Sequence, residues 1–160
     1  MRSLPFLISP ASISRCLQVR NLSLSRSLRL KDGEKASLVR NITIEDIKVF
    51  GNLVEDHNPV HFPADGGDAI VHGTLLLGLV SGLMATSLPG PGTVLTNITA
   101  NFVSPCPCPT TVKVEVVLGR VRKITKAEFS VENIEMGEVL VKGEARCLLS
   151  KEQLQKKNPS

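Results

Sequence analysis

Between Asp68 and Lys113 the chain carries no charged residue at all. Inside that stretch, Thr74 to Leu88 reads T-L-L-L-G-L-V-S-G-L-M-A-T-S-L, apolar on nearly every face of a helix. Such a helix must be covered all round, either by a protein core or by lipid. Gly78-x-x-x-Gly82 favours lipid, as a helix-pairing motif. Against lipid stand His72 near one end, the hydroxyl residues and glycines of the stretch, and the lack of a basic cluster to set an orientation. A central core helix is the better reading, and no membrane span is expected.

The rest of the chain offers a sheet to cover it. Pro89-Gly90-Pro91-Gly92 stops the helix, and period two follows. Val94, Thr96, Ile98, Ala100 and Phe102 alternate, as do Val112, Val114, Val116 and Leu118. So do Ala127, Phe129 and Val131, and then Val139, Val141, Gly143, Ala145 and Cys147. The linking segments 105–109, 120–123 and 136–138 are turn-like, which predicts antiparallel pairing of sequence neighbours. Residues 35–40 suggest an opening strand. Thr43 and Asp46 then form a capping-box pattern that starts an amphipathic helix ending near Glu55, with Ile44, Ile47, Val49, Phe50, Leu53 and Val54 as its apolar face. One sheet wrapped around one apolar helix is an α+β fold, with an edge strand able to pair with a second copy. A chain of 160 residues, 42% hydrophobic, holds one such domain. Residues 151–160 are expected to fray.

The formal charge of +4 is placed unevenly. Residues 1–30 hold seven serines, five arginines and no acid, leaving fourteen basic against fifteen acidic residues in the remainder. A leader of that composition is expected to be a mitochondrial transit peptide, directing the chain to the matrix, with a disordered basic tail as the alternative; in either case it stands outside the fold. The neutral body and the absence of Trp and Tyr argue against a nucleic-acid partner. Of the four cysteines, Cys16 lies in the leader, Cys106 and Cys108 lack the second close pair of a structural zinc site, and Cys147 reads as a core thiol. No disulfide framework and no metal site are expected.

Chemistry concentrates between Val54 and Gly73, which contains all three histidines and four of the fifteen acids. Pro59 ends the preceding helix and turns D-H-N-P-V-H into a loop. Asp56 and His61 make an acid/base pair there: a carboxylate orients an imidazole that can take or give a proton near neutral pH. By spacing alone, a capped helix end with a surface histidine accounts for them as well. Gly73 opens the apolar helix, where its unpaired N–H can stabilise an oxyanion; a glycine needed only for close packing is the alternative. His57 has no assigned role.

The stretch L-V-E-D-H-N-P-V-H, followed by I-V-H-G-T-L-L-L-G-L-V-S-G-L, L-P-G-P-G and N-F-V-S-P, resembles the MaoC-type, R-specific enoyl-thioester hydratases of hot-dog fold over residues 35–149. With the leader ahead of it, the chain looks most like the family's mitochondrial type 2 hydroxyacyl-thioester dehydratases. The resemblance implies that Asp56 and His61 are the catalytic pair. Gly73, Asn58 and Ser81 would be the substrate-side residues: Gly73 receives the thioester carbonyl, Asn58 ties down the loop and Ser81 lines the pocket. His72 would be a buried structural histidine. The implied enzyme, a hydro-lyase, adds or removes water on acyl thioesters of acyl carrier protein or coenzyme A, without metal or redox cofactor, as a homodimer. The segment between His61 and His72 is shorter than the family pattern, so a differently shaped acyl pocket is expected. Other readings are a non-catalytic thioester-binding module, a small membrane protein, or a thioesterase; thioesterases of this fold place an acid on the central helix, and residues 74–88 have none.

Overall fold

The period-two stretches become strands of one antiparallel sheet. In the computed structural model, which describes residues 30–64 and 66–155, the elements follow as β1 (Lys35–Ile42), α1 (Ile44–Val54), β2 (Ala69–Ile70), α2 (Gly73–Thr86), β3 (Val94–Phe102), β4 (Pro107–Cys108), β5 (Thr110–Leu118), β6 (Ile124–Asn133), β7 (Glu138–Leu148) and α3 (Lys151–Gln155). The long strands lie in the order β1-β5-β6-β7-β3. The expected leader lies outside the described residues except for Leu30, which packs against the core.

Register is fixed by the apolar face. Val114 pairs with Val131, Val116 with Phe129 and Leu118 with Ala127, and all six are buried. A slip of one residue would turn this whole set to solvent. Against that face α2 lays Leu76, Val80, Leu83 and Met84, the i, i+4, i+7, i+8 stripe of a helix. This is the hot-dog arrangement, an antiparallel sheet wrapped around a central helix.

Several local expectations change. Within this chain α2 is covered on one side only: Thr74, Gly78, Gly82 and Ala85 remain exposed, and a methyl group at Gly78 or Gly82 would meet open space. No described helix is long and apolar enough to cross a membrane. Pairing of β3 with its sequence neighbour β5 does not occur. β3 pairs with β7, and β1 and β6 flank β5. Pro105, Pro107 and Pro109 lack N–H groups that a continued ladder would use, and the segment between the two strands pairs briefly as β4 with β2. Irregularities in register at 95/97 in β3 and opposite 131/132 in β7 break the simple alternation. Val94 and Val139 therefore face outward, while Leu140 is buried.

The capping box of α1 is present in both directions, Thr43 Oγ1 accepting from the Asp46 N–H and the Asp46 carboxylate from the Thr43 N–H. The tail is ordered further than composition suggests. Residues 151–155 form α3, because Gln153 donates from its amide to Pro89 O, Gly90 O and Thr93 Oγ1 and latches the chain to the turn after α2. The rest of the expected tail lies outside the described residues. The neutral sum of the body also hides a local asymmetry: Arg122, Lys123, Lys126 and Arg146 line one groove on the outer face.

Cys106, Cys108 and Cys147 are buried free thiols. Burial raises all three, Cys106 to about 12 from 9.0. Their ordinary titration therefore belongs to the unfolded chain. As pH climbs from 9 toward 12 the unfolded state ionises first, so their contribution to stability falls over that window. At pH 8 alkylation of these three thiols in the native chain is expected to be slow and to become fast only in denaturant, which mass spectrometry of iodoacetamide adducts, mapped to each cysteine, measures.

Candidate active site

The loop after α1 is shaped by its own polar groups. Helix α1 ends at Glu55, whose φ of 58° is left-handed, and the Asp56 N–H donates to Gly51 O at 3.0 Å. Gly51 is needed for that closure: a Cβ there would lie 2.9 Å from Asp56 O and 2.9 Å from the Phe62 ring. Two side-chain turns follow. Asp56 Oδ1 accepts from the Asn58 N–H and Asn58 Oδ1 from the Val60 N–H, each at 3.2 Å. The His61 N–H then donates to Asn58 O at 2.9 Å. Asn58 thus bonds the loop twice, through its side chain to the Val60 N–H and through its backbone carbonyl to the His61 N–H.

The short connector draws this loop onto β2. Ile70 donates its N–H to Val60 O at 3.0 Å, and His61 Nδ1 lies 2.6 Å from Ile70 O. A carbonyl only accepts, so Nδ1 carries the proton and the neutral ring keeps its lone pair on Nε2. That Nε2 faces Asp56 Oδ2 at 3.7 Å. The two side chains meet across a gap too long for a direct hydrogen bond, which leaves an oxygen room to touch both at about 2.8 Å.

His72 joins them, which spacing did not foresee. Its ring stacks on His61 with centroids 3.7 Å apart and 24° between planes, and its Nε2 stands 3.3 Å from Asp56 O and 3.9 Å from Asp56 Oδ2. Asp56, His61 and His72 are a metal-ligand set by residue type. Their geometry fits an ion poorly: rings so nearly parallel aim their nitrogens side by side, and an ion at the usual Zn–N distance of about 2.0–2.1 Å would sit out of both planes. Phe50 meets the His72 ring at 5.2 Å, and Phe62 lies 5.9 Å from His72 and 6.4 Å from His61, giving the cluster an apolar backing. His57 is exposed, 6.3 Å from Phe62, and outside the cluster.

Gly73 opens α2 immediately after His72, so a first-turn donor stands at the next residue of the chain. A Cβ at position 73 would come 2.5 Å from the Phe102 ring, which gives the glycine a steric reason as well. Phe102 comes from N-F-V-S-P and ends β3, where its ring is largely exposed rather than on a buried strand face. Ser81 sits on α2 eight residues later, half-buried, roughly 12 Å along the axis from Gly73. The arrangement offers an acid/base pair open to solvent on the Asp56 side, which is 46% exposed against 12% for His61, beside a helix-start donor suited to a developing negative oxygen.

Known proteins share both sequence and shape. Residues 29–139 match the family described as MaoC like domain. An (R)-specific enoyl-CoA hydratase of Rhodospirillum rubrum is 33% identical over 127 residues, covering 75% of this chain and 88% of that protein. A 3-hydroxybutyryl-CoA dehydratase of Methylorubrum extorquens is 31% identical over 126 residues, covering 71% and 80%. Among solved structures, the (R)-hydratase from Aeromonas caviae involved in PHA biosynthesis superposes with a TM-score of 0.72 at 32% identity, covering 76% of this chain and 98% of that one. With its site assembled on a hot-dog fold and its length matched from residue 29 to 139, this chain belongs to the MaoC-like family.

Proposed function

We propose that the chain is a hydro-lyase that adds water reversibly to a trans-2-enoyl thioester, giving the (R)-3-hydroxyacyl thioester. One observation carries the proposal: the Asp56 carboxylate and the lone-pair nitrogen of His61 face each other at 3.7 Å beside the start of α2. The named activities of its relatives, an enoyl-CoA hydratase and a hydroxybutyryl-CoA dehydratase, are the two directions of such a reaction.

In hydration the pair removes a proton from water as its oxygen bonds to C3. The π electrons move toward the thioester oxygen, where the Gly73 N–H and the helix dipole hold the enolate-like charge. The pair then returns the proton to C2 on the same face, so it is restored each cycle. Dehydration runs the same steps backward. No step calls for a metal or redox cofactor.

The finer reading is a matrix enzyme of mitochondrial fatty acid synthesis working as a homodimer on acyl carrier protein or coenzyme A thioesters. The acid-free, arginine- and serine-rich leader supports the location. The small-residue face of α2 and the unpartnered edge of β3 support a second copy. The test is crotonyl-thioester hydration by the full chain, followed by loss of enoyl absorbance and chiral analysis of the product. Release of free thiol without hydration, or binding without turnover, would sink the proposal.

A further inference from the structure

We infer that His72, which takes no proton in the mechanism above, is the positioning residue that fixes the acid/base pair against the head of α2. The inference rests on the hydratase reading and deepens it.

His61 is anchored at one point, its Nδ1–H on Ile70 O at 2.6 Å. A ring held at one atom can still turn about that hydrogen bond, and turning swings Nε2 away from Asp56. The His72 ring removes this freedom by lying against the His61 face at 3.7 Å. His72 holds the other partner as well. Asp56 O only accepts, so the His72 Nε2 facing it at 3.3 Å carries the proton and donates. The same N–H lies 3.9 Å from the Asp56 carboxylate. One imidazole therefore limits both members of the pair, although sixteen residues separate it from Asp56.

The ring is itself enclosed. It is 1% exposed, backed by the edge-on Phe50 at 5.2 Å. Its Nδ1 is buried and finds no hydrogen-bond partner among the described residues. That orphan is the cost of this tautomer: with the proton on Nε2, Nδ1 is left a bare acceptor, and a buried polar atom kept unsatisfied calls for a reason. The reason is the next residue. His72 is the N-cap residue of α2 and Gly73 its first, so one backbone step ties the platform under the proton carriers to the donor for the thioester oxygen.

Three substitutions divide these tasks. His72→Phe keeps the stacking face and loses the N–H; His72→Gln keeps an N–H near Nε2 and loses the ring; His72→Leu loses both. For crotonyl-thioester hydration we expect His72→Leu to lower kcat about 10²-fold, the effect typical of a misplaced catalytic group, while KM stays within about threefold. The Gln and Phe variants should each recover part of that loss, roughly tenfold. Thermal unfolding, read alongside, gives the folded fraction, and rates are compared per folded molecule. A His72→Leu protein that is folded and keeps kcat within about threefold of the parent overturns the inference and leaves the hydratase reading standing. Where Leu does not fold, Gln and Phe decide: parental kcat in both overturns it, and depressed kcat at parental KM supports it. An inactive parent chain removes the reading itself and the inference with it.

Discussion

Asp56→Asn and His61→Ala are each expected to lower enoyl-thioester hydration about 10³-fold, with the double variant little slower than either alone. General acid–base groups contribute about 10²–10⁴-fold, and residues acting as one unit do not add. Asn preserves the shape of Asp56 and can still accept from the Asn58 N–H, the contact at 3.2 Å, but it cannot take a proton. With Asp56 nearly half exposed, this change should shift stability by no more than about 0.5 kcal/mol. Initial rates and urea midpoints, measured together, check the claim. If both single variants keep a tenth of the parental rate, the pair is not the proton carrier.

Gly143→Ala is expected to be the most damaging single methyl group in the sheet, lowering stability by about 3 kcal/mol or more. An ideal Cβ at Gly143 would lie 2.1 Å from Thr99 O, 2.6 Å from the Phe129 ring and 3.0 Å from the Ala100 Cα. The first and last are backbone atoms of the adjacent β3 and cannot swing aside. Relief requires β3 to move off β7, opening the pairs around Ala100–Gly143 and Asn101–Lys142. Denaturant unfolding of the variant reads the loss, and hydrogen exchange should place it in β3. A midpoint within error of the parent would mean that β3 is held far more loosely than its register implies.

Much of this was legible locally. Strand periodicity placed Val112 to Leu118 and Ala127 to Val131 on the buried face, and the Thr43/Asp46 pattern located the start of α1. D-H-N-P-V-H folds through contacts two or three residues long, so its turn could be read from Asn58 and Pro59. What escaped depends on distant partners. The order that puts β5 beside β1 is settled by strands far apart in sequence. The α3 latch needs Gln153 to find a turn sixty residues back. His72 enters the cluster only because Asp56 and His61 are folded onto it. Hydrophobicity marked α2 as needing cover, but not that its small-residue face would stay open within one chain.

Gly51 never approaches the reacting atoms, and by helix propensity alanine would be the better residue there by about 1 kcal/mol. Yet the first atom added at position 51 presses on the carbonyl of Asp56 and the ring of Phe62. That carbonyl is the one His72 holds. Anyone ranking substitutions in this chain by closeness to the substrate, or by conservative chemistry, would pass Gly51→Ala as benign. The geometry puts it among the first to suspect of disturbing the carbonyl of Asp56.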